Sequence, residues 1–380
     1  MKLLYLACIA LLLSACNQTP QLELTVKADG INNGVIILKQ ANEIVLSQTI
    51  KNGEMSITRK LAAPGYYNMT IIDNDKTLKS KTSFDVYLEN GKYTFETDGT
   101  HPADYPEVKT TSATQSQLSD YYKLAYQKAG ALDHRIDSAK TFLESDKAAA
   151  LPAKQRSTIY ADTRVLQKQR RDLDLEILTA YIQKHPDNKI GAHMMAQQVY
   201  WENPKAYNSI FQKFSAEEKS SDDGLKISNK LNALLGTMAD AKAPDIVGNT
   251  PEGLSFNKST IRNKITLVEF WRSQNNVIII DHQKMVNGLI LTPADRKKFG
   301  IVSVSLDTSA EPWKKEIEQD HLKWLQVSDL KGDNSPNVRN WNITKLPTYF
   351  LVDRNWKIIK ADVPLFELDS EVHEYLKKNP

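Results

Sequence analysis

The sequence predicts a multidomain α+β protein: an N-terminal antiparallel β domain, a central helical segment and a C-terminal α/β domain. Three observations predict it. Residues 21–100 hold short stretches in which apolar and polar residues alternate, as in Leu22, Leu24 and Val26 between Glu23, Thr25 and Lys27. That is the period of strands with one buried and one wet face. From about residue 114 to 240 glycine is sparse and apolar residues recur at helical spacing. Beyond about residue 250 continuous apolar runs alternate with helical patterns, the arrangement of a sheet covered by helices. At 380 residues the chain is long enough for two or three domains of about 150 residues each.

The first residues stand apart from the fold. Lys2 precedes an apolar run from Leu3 to Leu13, too short for a bilayer, which takes about 20 apolar residues. The run ends in Leu13-Ser14-Ala15-Cys16. Small residues ahead of a cysteine resemble a bacterial lipobox, and the resemblance implies cleavage before Cys16 and acylation of that residue. An ordinary signal peptide with a cysteine near its end is the alternative. Residues 1–15 are thus expected to be a signal peptide and 16–20 a short tether. No later run reaches membrane-spanning length, so lipid is the expected membrane attachment. The only other cysteine is Cys8, which leaves with the signal peptide. The mature chain is then expected to hold no free thiol and no disulfide.

Residues 21–100 read as a β-sandwich-like domain. Strands are expected at Val35–Leu38, Ile44–Ile50, Met55–Thr58, Tyr66–Ile72, Phe84–Leu88 and Tyr93–Thr97. Asp29-Gly30, Asn33-Gly34, Asn52-Gly53 and Asn90-Gly91 supply turn signals, because Asn-Gly readily adopts the positive φ values of tight hairpins.

Residues 101–242 read as a linker and a helical segment. His101–Val108, with two prolines, is the linker. Leu118, Tyr121, Tyr122 and Ala125 begin one helix, and Ile159, Leu166, Leu173, Ile177 and Tyr181 mark a longer one that Pro186 ends. Asn203-Pro204 opens another helix, Ser215-Ala-Glu-Glu218 has the form of a capping box, and Leu225, Leu231 and Leu234 close the region. The charge-rich helix faces read as solvated surface. Ala241–Asn249 is a second linker.

Residues 243–380 read as α/β. Ile265–Trp271 and Ile301–Leu306 are apolar enough for strands buried on both faces. Helices are expected at Trp313–Asp320, Asn337–Trp341 and Glu367–Lys378, a short strand at Leu325–Val327, and a hairpin of Tyr349–Val352 with Trp356–Ile359 around Asp353-Arg-Asn355. The stretch Thr266-Leu-Val-Glu-Phe-Trp-Arg-Ser-Gln-Asn-Asn-Val-Ile-Ile-Ile280 is a strand turning through a polar break into a helix. Such a frame suits a reactive group, because a helix N-terminus stabilises an anion and depresses a cysteine pKa.

Four segments in order carry a family resemblance: Ala243-Pro244-Asp245, Thr266–Trp271, Ile301–Asp307 and Leu346-Pro347-Thr348-Tyr-Phe-Leu-Val-Asp353. Together they resemble a thioredoxin-like domain of the TlpA/ResA type, related to the AhpC/TSA group. Residues upstream resemble the N-terminal region of unknown function that precedes such domains in Gram-negative lipoproteins. The family motif Phe-Trp-Ala-x-Trp-Cys-x-x-Cys falls on Phe270-Trp271-Arg272-Ser273-Gln274-Asn275-Asn276-Val277-Ile278. Both cysteine positions are therefore replaced, by Asn275 and Ile278, and Gln274 stands at the tryptophan. Thiol–disulfide exchange needs an attacking thiolate, which neither replacement supplies.

Asn275 is expected to cap the following helix and Ile278 to join the core. The β-branched run from Val277 is locally poor helix material, but the resemblance implies a helix there. Glu269 falls on the family's buried acid and, with no thiol to serve, reads as a paired or edge-solvated carboxylate. Pro347 falls on the proline that is cis in the family, where the loop pairs with extended substrate. Trp271, Gln274, Asn275, Asn276, Leu346, Pro347 and Thr348 are therefore the candidate partner-binding residues, with β-augmentation as the mode. Trp356 stands where the hairpin usually has glycine.

Other chemistry finds less support. The net charge of +3 is small, and basic residues are not blocked among aromatics, so nucleic-acid binding is not expected. The seven histidines are scattered and lack a metal-ligand pattern; His282, beside Asp281, reads as part of a solvated helix face. Ser273 and Ser303 have no nucleophile elbow. No catalytic residue, metal or cofactor is expected. The leading expectation is a cell-envelope lipoprotein whose redox-inactive thioredoxin-like domain binds a peptide or protein. A TlpA/ResA-type thiol–disulfide oxidoreductase and an anchored spacer are the alternatives. Asn17, in place of an aspartate after Cys16, favours the outer membrane facing the periplasm.

Overall fold

The computed structural model describes residues 21–75, 81–99, 104–273, 275–287 and 291–379, apart from the side chains of 81, 82 and 276. The signal peptide, Cys16, His101, Gln274 and the side chain of Asn276 lie outside it. The described residues fall into two compact units. One runs to Gln198 and takes in Lys213–Glu218; the other comprises Val199–Gln212 and the chain from Lys219 onward.

The first unit begins with eight strands: β1 (Leu22–Asp29), β2 (Asn33–Gln40), β3 (Glu43–Lys51), β4 (Glu54–Arg59), β5 (Gly65–Asp73), β6 (Lys81–Leu88), β7 (Gly91–Asp98) and β8 (Glu107–Thr110). They form one sheet in the order β6-β5-β2-β3-β4-β1-β7-β8. Neighbours are antiparallel except β1 and β7, which run parallel. β3 and β4 share a single ladder pair, Lys51 with Glu54, so two four-stranded halves meet through this hairpin. Both halves contribute to one core, with Leu24, Val26, Ile36, Ile50, Met69, Val86 and Phe95 among its members.

One turn expectation and one linker expectation need correction. At Asn52-Gly53 both residues have positive φ (50° and 82°), as a type I′ hairpin requires. Asn33-Gly34 instead lies inside β2. Gly34 serves close approach there: a Cβ would meet the Ile72 carbonyl oxygen at 2.6 Å. The turn that enters β3 is made by Ala41 and Asn42, with φ of 46° and 70°. The expected linker His101–Val108 also runs into β8, whose residues pair with β7 from Tyr93 to Glu96; sheet pairing overrides the proline-rich composition.

Helices α1 (Ala113–Leu143), α2 (Asp146–Ala149), α3 (Ala153–Lys184) and α4 (Gly191–Ala196) belong to this unit. Ser112 caps α1 through Gln115 N–H, and α3 stops at Lys184, ahead of Pro186.

The helices α5 (Pro204–Phe211), α6 (Ala216–Ser220) and α7 (Asp222–Gly236) follow. Asn203 caps α5 with Pro204 at its start. The capping box forms, with Ser215 Oγ accepting from Glu218 N–H at 3.1 Å and Glu218 Oε2 accepting from Ser215 N–H at 3.4 Å.

The second unit contains β9 (Ile265–Trp271), α8 (Asn276–Val286), α9 (Pro293–Arg296), β10 (Phe299–Ser305), α10 (Ala310–Gln319), β11 (Leu325–Ser328), α11 (Pro336–Asn340), β12 (Thr348–Asp353), β13 (Ile358–Ala361) and α12 (Leu368–Lys378). Its sheet runs β11-β10-β9-β12-β13. β9, β10 and β11 are parallel, and β12 and β13 are antiparallel to their neighbours. Every residue of β9 is buried, as a central strand covered on both faces must be. Val268 and Phe270 face a core with Trp341 and Phe350, and Leu267 faces another with Leu351 and Val372. Trp356 takes a left-handed φ of 61° while buried; its indole N–H donates to the Pro244 carbonyl at 3.1 Å.

Candidate functional site

The frame read at residues 266–280 forms. β9 ends at Trp271, and Asn275 caps α8, its side-chain oxygen accepting from Val277 N–H at 3.0 Å. Asn275 thereby satisfies an orphan amide of the helix start. Ile278 is fully buried with Trp271, Trp313 and Leu322. Ile279 packs partly buried against the same cluster, and this burial favours the β-branched run as helix, although Val277 and Ile280 are exposed.

The turn between β9 and α8 is fastened by Asp307, just past the end of β10. Its carboxylate accepts from Ser273 N–H at 3.2 Å, from Ser273 Oγ at 2.7 Å and from Ser305 Oγ at 2.7 Å. Arg272 Nε donates to the Leu306 carbonyl at 2.9 Å, and its guanidinium meets Asp333 at 2.5 Å. Neither Ser305 nor Asp307 stands out in sequence. Their signal is topological: parallel β9 and β10 in register bring Ser305 opposite Trp271.

Glu269 is fully buried, and its Oε2 accepts from Ser303 Oγ. Ser303 in turn accepts from Trp324 Nε1 at 2.7 Å. The other oxygen, Oε1, lies 3.4 Å from His282 Nε2, an ion-pair contact in which neither atom reaches hydrogen-bond geometry. His282 Nδ1 is 2.7 Å from Asp320 Oδ2. The expectation of a solvated face for His282 is therefore corrected: the residue is fully buried, because the helix turns it toward β9 and the end of α10. Burial pulls the imidazolium down, but Glu269 and then Asp320 more than reverse this, so its pKa is raised. Of the two readings of Glu269, the paired one holds.

Trp271 also needs correction. It is fully buried and sits edge-on to His282, with ring centroids 4.8 Å apart, so it is closed to a partner. Thr348 is buried, and its hydroxyl donates to the Lys345 carbonyl. Leu346 and Pro347 are half-buried, and the bond between them is cis. Beside them lies a cavity of about 620 Å³ bordered by Arg272, Ser273, Asn275, Leu306, Lys345 and Leu346. Asn275 and Leu346 are thus brought to one groove, while Trp271 and Ile278 are buried in the core.

A parallel β11-β10-β9 run continued by antiparallel β12 and β13, a capped helix after the central strand and a cis-proline ahead of β12 now stand together. The C-terminal domain has the thioredoxin-like fold. No family model matches the chain, and no curated protein matches it. Solved structures do. A thiol:disulfide interchange protein from Bacteroides sp. is 27% identical, with 37% of this chain and 92% of that chain covered and a TM-score of 0.33. The thioredoxin domain of a thiol-disulfide oxidoreductase from Bacteroides vulgatus is 27% identical, with 37% and 96% covered and a TM-score of 0.31. A thioredoxin-like protein from Bacteroides caccae is 11% identical, with 60% and 87% covered and a TM-score of 0.41. Among the described residues no group of His, Cys, Asp and Glu could hold a metal ion, and no helix is long and apolar enough to cross a membrane.

Proposed function

We propose that the thioredoxin-like domain carries no thiol–disulfide chemistry and instead holds an extended peptide or protein segment in the groove beside Pro347. The observation that carries this reading is the fate of the two cysteine positions. Asn275 is committed to the helix cap and Ile278 to the core, and the chain's two cysteines both precede residue 17. With no thiolate to attack a disulfide, exchange has no first step. The groove beside Leu346 has a volume of about 620 Å³, and a backbone ahead of a strand suits pairing with an extended chain. We further propose that Cys16 bears lipid and that the protein is held in the cell envelope, at the outer membrane facing the periplasm.

The test has two arms. Protein spanning residues 21–380 should reduce a model disulfide no faster than buffer; turnover would sink the redox-inactive reading. A photo-crosslinking side chain at exposed Thr344 should capture a partner in native envelopes, whereas one at exposed Lys315 should not. Equal capture at both would remove the groove, leaving the anchored-spacer reading.

A further inference from the structure

The N-terminal unit holds a second cavity, of about 480 Å³, lined by residues of α1, α3 and β6. Its aromatic wall is Tyr105 and Tyr122, stacked at a centroid distance of 4.2 Å and an angle of 12°. Phe84 meets Tyr105 edge-on. Two small residues of α1, Ala125 and Gly130, leave the space. A Cβ at Gly130 would come within 2.9 Å of the Tyr126 ring, so glycine there lets this ring lie close to the helix.

The charges around the cavity are mostly matched. Arg170 is held by Asp133 at 2.7 Å and by Asp174. His134 lies 3.7 Å from Asp104, and Lys140 3.9 Å from Asp137. Arg171 differs. It lines the cavity, and its covered Nε–H has no acceptor among the described residues. A covered N–H without an acceptor is costly, and a guanidinium is shaped for a carboxylate. Burial raises the Tyr122 phenol well above its usual range, so its hydroxyl remains a donor on the same wall.

We propose that this cavity binds a small aromatic carboxylate, its ring on the Tyr105–Tyr122 wall and its carboxylate on Arg171. Flat rings stack on tyrosine faces, a covered guanidinium N–H without an acceptor suits a carboxylate oxygen, and the volume lies in the usual range of small-molecule pockets, roughly 300–1,000 Å³. The inference is independent of the peptide reading of the C-terminal domain.

Calorimetry on protein spanning residues 21–380 tests it, with indole-3-acetate, tryptamine and acetate as probes. Indole-3-acetate should bind one to one and at least tenfold tighter than tryptamine, which carries the same ring and the opposite charge; acetate should bind too weakly to measure. Arg171→Gln should weaken indole-3-acetate at least tenfold, and Arg171→Lys should recover part of the loss. Arg164→Gln, on the exposed side of α3, should change nothing. Tyr122→Phe should weaken binding severalfold, and it serves as the decisive variant if Arg171→Gln does not fold by circular dichroism. Absence of indole-3-acetate binding, equal binding of tryptamine, or undiminished binding by folded Arg171→Gln and Tyr122→Phe proteins would overturn the proposal.

Discussion

A histidine enclosed between Glu269 and Asp320 ties the stability of the C-terminal domain to pH. Burial opposes the charged form of His282, and the two carboxylates outweigh burial, so the folded pKa stands above the unfolded value of 6.5. A raised histidine contributes stability that is fully present below 6.5 and is lost as pH rises through the folded pKa. The resistance of the C-terminal domain to denaturant should therefore fall as pH climbs from 6.5 into the alkaline range. A flat profile would remove the coupling. His282→Ala leaves Glu269 buried without its counter-charge and should cost roughly 3–5 kcal/mol near neutrality, with the pH dependence abolished. The cap is a smaller matter: Asn275→Ala should cost about 1 kcal/mol, read from the same unfolding curves.

At the scale of elements, β9 and α8 form a strand–turn–helix frame with Asn275 at the helix cap. A thiol at position 275 would face the start of α8, where thiolates are stabilised. The double variant Asn275→Cys with Ile278→Cys should therefore gain measurable disulfide reductase activity. A folded but inert double variant would mean that Arg272, Gln274 and the His282 pairing have altered the site beyond its cysteines. The β2 strand offers a separate test. Gly34→Val puts a side chain against the Ile72 carbonyl and should lower the thermal midpoint of the first unit by several degrees; an unchanged midpoint would show that β2 and β5 separate freely there. Element types were legible from local pattern: the strands, the proline-ended helix α3 and the Ser215 capping box all follow from neighbours in sequence. The hairpin at Ala41-Asn42 was not, because alanine is a poor turn former, no glycine follows Asn42 and the ladder between β2 and β3 imposes the left-handed backbone.

For the whole molecule, the proposed lipid anchor is open to direct test. Full-length protein expressed in a bacterium should incorporate labelled palmitate and enter the detergent phase, Cys16→Ser should do neither, and protein starting at residue 21 should stay aqueous. Label retained by Cys16→Ser would refute acylation at that residue. By itself the sequence determined the order of a β domain, helices and an α/β domain, and the absence of any cysteine after residue 16. These are matters of composition and short-range period, which any window of residues reveals. Only the tertiary structure decided that His282 is an enclosed ion-pair partner, that Trp271 is closed to partners, that Asp307 fastens the turn after β9, and that Asn275 and Leu346 share a groove. Each depends on which residues strand pairing and helix packing bring together across 11 to 71 positions of chain, and burial is set by those neighbours, which a local pattern does not contain.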